Sequence, residues 1–157
     1  KVMGAEVTGV CSERNAQMVR SIGADHVIDY QKEDFTRGDA RYDLIVDNIG
    51  NRSILDIVDV LAPTGIYVIV GAPSEDPWIG AVAAPIRASF YSPFVDQPLK
   101  FFIAKMEQKD VEYLASLMSE GKLVSVIDRT YPLAESAEAI RYLETGRARG
   151  KVVVTVN

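Results

Sequence analysis

The sequence predicts an α/β fold built on a parallel sheet. Short β-branched runs alternate with stretches of about ten residues whose apolar positions repeat at helical spacing. Several of those runs have unbroken apolar middles, as strands covered on both faces do. Glycine or proline punctuates most of the junctions. The 157 residues are enough for one sizeable core and too few for two.

Taken in order, Glu6–Cys11 (EVTGVC), entered through Gly4, reads as the first strand. Met18, Val19 and Ile22 then share one face of a helix over Arg14–Ile22, with Gly23 as a left-handed stop. His26–Asp29 (HVID) is a second strand and Tyr42–Asp47 (YDLIVD) a third, with both faces of the third expected to be buried. Ser53–Leu61 places Ile54, Ile57, Val58 and Leu61 on one helix face, ended by Pro63 and Gly65. Ile66–Val70 (IYVIV) is a fourth strand, closed by Gly71.

From Ala72 to about Pro98 no period persists. Trp78, Phe90, Tyr91 and Phe94 in this stretch suit a substrate cleft or a subunit interface, or else an unusually apolar loop folded on the core. Regularity returns at Leu99–Ala104 (LKFFIA). A helix N-capped by Asp110 follows, with Val111, Leu114, Ala115 and Met118 expected inward and Gly121 as its stop. Val124–Thr130 reads as a strand, Pro132–Thr145 as a helix ended by Gly146, and Lys151–Val156 (KVVVTV) as a last buried strand.

Charge and composition narrow the function. Lys and Arg number 17 against 22 Asp and Glu, a net charge of −5, so no electrostatic case exists for nucleic acid or an anionic membrane surface as a partner. One cysteine, Cys11, excludes an intrachain disulfide and a multi-thiolate metal site, and one histidine, His26, excludes a His cluster. No metal site is therefore expected. No apolar run reaches the roughly 18 residues of a membrane span, and no signal-peptide pattern stands at the start. A reducing, cytoplasmic compartment is the expectation.

In open parallel sheets ligands bind beyond the carboxyl ends of the strands. That rule selects Cys11-Ser12-Glu13-Arg14, Asp29-Tyr30, Asp47-Asn48-Ile49-Gly50 and Gly71-Ala72-Pro73. The first cluster is the most informative. A dinucleotide fold usually ends its second strand with Asp or Glu, which accepts hydrogen bonds from the adenosine ribose. Here that position is Cys11, followed by Ser12 and, one turn into the helix, Arg14. Exchanging a carboxylate for a hydroxyl and a guanidinium favours a ribose 2′-phosphate, hence NADP(H) over NAD(H). Glu13 could pair with Arg14 or point to solvent.

The segments GAEVTGVCSERN, RSIGADHVIDYQKEDF, YDLIVDNIG, LAPTGIYVIVG and YPLAESAEAIRYLETGRARGKVVVTV resemble the medium-chain dehydrogenase/reductase superfamily, in its zinc-independent, quinone-oxidoreductase-like branch. The resemblance implies a Rossmann-type doubly wound sheet that binds the nicotinamide cofactor of a two-domain oxidoreductase. It implies further that the first strand and its glycine-rich turn belong before Lys1, so that residues 1–157 make an incomplete dinucleotide-binding domain, with the N-terminal GroES-like catalytic domain absent from this chain. By position in the family pattern, Ser12, Arg14 and Tyr30 surround the 2′-phosphate. Asn48 and Gly50 form the turn beside ribose and nicotinamide, and Gly71 ends the strand next to the nicotinamide. Phe101, Phe102 and Ile103 pass the nicotinamide amide and in many members join a second subunit, so a homodimer is expected. Lys151 occupies a position that sometimes reaches the cofactor. Hydride transfer asks the protein mainly to orient cofactor and acceptor, and no catalytic side chain is assigned. His26 opens a strand far from the nicotinamide position and Cys11 reads as a small buried strand residue. The function expected is NADPH-dependent reduction of a quinone, enone or other carbonyl compound. The alternative is a non-catalytic assembly module derived from the same fold.

Overall fold

The computed structural model describes residues 1–70, 97–101, 105 and 107–156. Its elements are, in chain order, β1 (Thr8–Cys11), α1 (Glu13–Ser21), β2 (His26–Asp29), β3 (Tyr42–Asp47), α2 (Ile54–Asp59), β4 (Leu61–Ile69), β5 (Leu99–Phe101), α3 (Gln108–Ser119), β6 (Ile127–Pro132), α4 (Ser136–Glu144) and β7 (Lys151–Thr155). Single 3-10 turns lie at Phe35–Arg37 and Leu133–Glu135. Every described ladder is parallel: β1 with β2, β4 between β3 and β5, and β6 with β7. A parallel pair needs a crossover between its strands. Helix α1 supplies it for β1–β2, α2 for β3–β4 and α4 for β6–β7, so the predicted α/β class holds.

The chain divides into two compact units, Lys1–Asp29 with Met106–Asn157, and Tyr30–Lys105. In the first, β1 and β2 run in register from Thr8↔His26 to Cys11↔Asp29. Helices α1, α3 and α4 are followed by Gly23, Gly121 and Gly146, all at positive φ, as the sequence predicts.

The second unit holds the clearest core: Ile54, Ile57, Leu61, Tyr67 and Ile69, with Phe35, Ile45, Val58 and Leu99 packed against it. Ser53 starts α2 by accepting the Leu55 N–H on its side chain. Spacing then turns Ile54 and Ile57 onto the sheet. Asp34 caps the Phe35–Arg37 turn in the same way, taking the Thr36 N–H and hydroxyl at 3.1 and 2.8 Å.

Several boundaries differ from the sequence reading. Helix α2 stops at Asp59, and Leu61 already belongs to β4, which continues past Pro63 and Gly65 instead of starting after them. The ladder tolerates them because β4 leaves register between Tyr42↔Leu61 and Leu44↔Ile66, and Pro is admitted at such irregularities. Helix α3 begins at Gln108 with Glu107 as its cap, so Asp110 lies in its first turn. There the carboxylate meets the helix dipole rather than capping a free N–H. Strand β6 lies later than Val124–Thr130, extending to the pair Pro132↔Thr155. The last predicted helix opens with the Leu133–Glu135 turn before α4.

Burial differs at β3 and α3, at Cys11, which is half-buried, and at β7, where Val152 and Val153 are half-buried and Val154 and Val156 exposed. Ile45 faces the core, whereas Leu44 and Val46 of β3 are 56% and 53% exposed, so one face of this strand is open. Val111, Leu114, Ala115 and Met118 of α3 are likewise exposed. An apolar stripe states which side of an element can be buried, and the covering surface has to come from elsewhere. Trp78, Phe90, Tyr91 and Phe94 lie outside the described residues.

Ile57 is fully buried. Ile57→Ala is expected to destabilise the protein by about 2–5 kcal/mol, the usual cost of such a truncation in a packed core, read as a lower urea midpoint with an unchanged slope.

Candidate functional site

The carboxyl end of β1 hands the chain directly to α1. Cys11 makes the last register pair with Asp29, and Ser12 takes the N-cap position with extended φ and ψ of −77° and 154°. Its hydroxyl makes no capping hydrogen bond. Its carbonyl accepts the Asn15 N–H at 2.9 Å. Arg14, in the first turn, is exposed. Ser12 and Arg14 therefore share the start of one helix, where the helix dipole favours an anion.

Burial holds the Cys11 thiol above its ordinary pKa, and the Asp29 carboxylate adds to this against a smaller opposing effect of Arg20. Cys11 is thus a neutral thiol at neutral pH. Tyr30 directly follows Asp29 and is 52% exposed.

A second predicted cluster forms around Asp47, the last residue of β3. Its Oδ1 accepts the N–H groups of Ile49 and Gly50 at 2.9 and 2.7 Å, and its Oδ2 accepts the Tyr67 hydroxyl at 2.8 Å. Its carbonyl accepts the Val70 N–H at 2.9 Å. Asn48, Ile49 and Gly50 are wrapped around one carboxylate, and Tyr67, a buried side chain of β4, holds that carboxylate from below. Gly50 sits at φ +67°, in the left-handed region, so a side chain there would strain the turn. Asn48 is exposed at its tip.

Lys151 begins β7, exposed, with its N–H donated to the Val126 carbonyl at 2.7 Å. Gly71, Phe102 and Ile103 lie outside the described residues, and of Phe101 only the backbone, at the end of β5, is described. His26 stands at the amino end of β2, three register pairs from Cys11↔Asp29, with its Nε2 2.7 Å from Glu6 Oε1. Among the described residues no group of three His, Cys, Asp or Glu side chains could hold a metal ion.

The sequence reading missed two participants. Tyr67 could have been suspected, being the one phenol in an otherwise aliphatic strand. Arg149 gave no local signal, because the groups its side chain binds, Asn15 Oδ1 and the Arg14 carbonyl, are 134 and 135 residues away.

Three outcomes test this geometry. Asp47→Ala removes the acceptor of three donors and is expected to cost about 2–4 kcal/mol in urea unfolding, the scale of several lost hydrogen bonds. Alkylation of Cys11 is expected to be slower at pH 7.5 than that of a free thiol. Asp29→Asn removes the negative charge that opposes the thiolate, so the thiol pKa should fall and the pH–rate curve move to lower pH.

Comparison with known proteins identifies the family and agrees with the fold. Residues 22–154 match the family described as zinc-binding dehydrogenase. Trans-enoyl reductase pgmF of Aspergillus terreus is 33% identical over 167 residues, covering 100% of this chain and 46% of that protein. The mitochondrial NAD(P)H oxidoreductase RTN4IP1 of Mus musculus is 31% identical over 187 residues, covering 99% and 43%. The quinone oxidoreductase of Coxiella burnetii superposes with a TM-score of 0.77 at 28% identity, over 98% of this chain and 46% of that one. The chain spans about half the length of the relatives it matches. Its parallel ladders and crossover helices are a Rossmann-like arrangement, and the chain belongs to the zinc-binding dehydrogenase family, within the medium-chain dehydrogenases/reductases.

Proposed function

We propose that this chain is the cofactor-binding part of an NADPH-dependent oxidoreductase that reduces a quinone, enone or other carbonyl compound. One observation carries the reading: the strand end that would offer a carboxylate to the ribose of NAD(H) ends in a neutral thiol, beside the Ser12 hydroxyl and the Arg14 guanidinium at the start of α1. The names of the relatives, a trans-enoyl reductase, an NAD(P)H oxidoreductase and a quinone oxidoreductase, support the acceptor class.

A bound reduced nicotinamide supplies a hydride to an electrophilic carbon of the acceptor. In this reading Ser12, Arg14 and Tyr30 surround the 2′-phosphate, and Lys151 reaches the cofactor. The Asp47-anchored turn presents Asn48 and Gly50 to the ribose and nicotinamide, and Gly71 and Phe102 complete that end. Fixing the turn before the ligand arrives lowers the ordering cost of binding. No side chain of this chain is assigned a proton transfer.

Zinc does not fit the residues present. The one cysteine is a protonated thiol beside Asp29, and the one histidine pairs with Glu6 at the opposite end of the ladder. No step is assigned to a metal held by this chain. The reading includes homodimer assembly through β5, the edge strand of its ladder among the described residues. It also includes a cytoplasmic location, consistent with a single unpaired thiol. Among the described residues no helix is long and apolar enough to cross a membrane.

The full-length protein is expected to oxidise NADPH in preference to NADH when given a quinone or enone. Arg14→Ala should weaken NADPH by roughly 1.5–3 kcal/mol, the scale of a charge-assisted hydrogen bond, and leave NADH nearly unchanged. Equal losses for both cofactors would remove the 2′-phosphate assignment.

A further inference from the structure

The segment leading into β7 reaches back to α1 through Arg149, within the first unit. Its Nε donates to Asn15 Oδ1 at 2.9 Å and its Nη2 to the Arg14 carbonyl at 2.6 Å. The Arg149 N–H donates to Asp128 Oδ2 at 2.9 Å, and the same oxygen accepts the Tyr142 hydroxyl at 2.6 Å. The Arg129 guanidinium lies 3.7 Å from the centroid of the Tyr142 ring. One continuous set of contacts thus joins β6 and α4 to the first turn of α1.

The backbone beside Arg149 is held as tightly. Gly150 lies so near the Val126 carbonyl that a Cβ would strike it, and the next N–H, that of Lys151, donates to that carbonyl at 2.7 Å. Arg149 therefore projects from a fixed point. The guanidinium is a rigid fork, and two of its donors are spent on adjacent residues of α1, one a side-chain amide and the other a main-chain carbonyl. A carbonyl oxygen has two lone pairs, so Arg14 can accept this bond and keep its helical one. The residue whose main chain is gripped is the one whose side chain is assigned to the ribose phosphate.

We propose that Arg149 is a positioning residue: it clamps the first turn of α1 and thereby sets the placement of Arg14 and Ser12 that discriminates a phosphorylated adenosine ribose from an unphosphorylated one. The proposal rests on the 2′-phosphate reading above. It differs from a direct role for Arg149 as a phosphate ligand, because its effect passes through Arg14.

The test uses the full-length protein and the variants Arg149→Ala, Asn15→Ala, Arg14→Ala and the double variant Arg14→Ala/Arg149→Ala. NADPH and NADH affinities are measured by titration, and amide hydrogen exchange is followed without ligand at Met18, the helical i+4 partner of the Arg14 carbonyl that Arg149 grips. Arg149→Ala is expected to weaken NADPH about tenfold, comparable to one charge-assisted hydrogen bond, with NADH changed less than about twofold. Asn15→Ala, which removes one arm of the clamp and leaves Arg149 in place, should shift NADPH in the same direction by less. The double variant should bind NADPH no more weakly than Arg14→Ala alone, since both losses pass through one group. Exchange of the Met18 N–H should accelerate in Arg149→Ala, as the first turn frays, and not in Arg14→Ala. Losses that multiply in the double variant would make Arg149 an independent ligand and overturn the proposal, as would unchanged exchange. An Arg14→Ala variant that loses NADPH and NADH equally would overturn the phosphate reading and the selectivity role together. The exchange measurement, which needs no nucleotide, separates that failure from failure of the clamp.

Discussion

Parallel strand pairing is the constraint from which the rest follows. Two strands that run the same way cannot be joined by a tight turn, so each described pair requires a crossover, and each crossover starts where a strand ends. Residues after a strand's last pair are therefore forced to be both a strand exit and a helix or turn entrance. Ser12 is the N-cap of α1 because Cys11 is the last partner of Asp29. Asn48–Gly50 is a turn because Asp47 is the last residue of β3. Chemistry collects at these exits because backbone groups there leave the ladder and need other partners.

The two exits meet that need differently. At the end of β3 the answer is an anion, the Asp47 carboxylate, which takes up the free N–H groups itself and is steadied by a phenol from the core. At the end of β1 the N-cap side chain makes no such bond, and the neighbouring thiol is kept neutral by burial and by Asp29. One exit is satisfied by its own carboxylate, and the other places an exposed guanidinium at the positive end of a helix.

Much of this was legible in the sequence, for identifiable reasons. His26–Asp29 and Tyr42–Asp47 were read to the residue because short apolar runs bounded by polar residues have only one extended reading. Ile54 and Ile57 announced the core face of α2 by spacing alone. The start of β4 was not legible, because Pro63 and Gly65 signal a break locally and the ladder with β3 overrides them. The open faces of β3 and α3 were not legible either, since periodicity describes an element and not its cover. At the site, Ser12, Arg14, Asn48 and Gly50 stand at strand exits as expected. The carboxylate that shapes the Asn48–Gly50 turn was adjacent to the residues singled out, and only the geometry shows what it does. Arg149 depends on a contact between sequence-distant segments, which no window along the chain can display.

The irregularity in β4 has a consequence for how such a chain can change. Between the pairs Tyr42↔Leu61 and Leu44↔Ile66 the partner strand advances two residues while β4 advances five. From Ile66 onward the ladder runs unbroken to Asp47↔Ile69, which is where Tyr67 and Ile69 acquire their inward direction. In a regular strand a single inserted or deleted residue would turn every later side chain to the opposite face. Here the irregular stretch of Ala62–Gly65 lies upstream of that part, and Gly65 closes it, since a Cβ there would meet the Tyr42 carbonyl and the Ala62 backbone. A length change that keeps Gly65 in that place leaves the core-facing alternation from Ile66 onward untouched, and Tyr67 still reaches the same carboxylate.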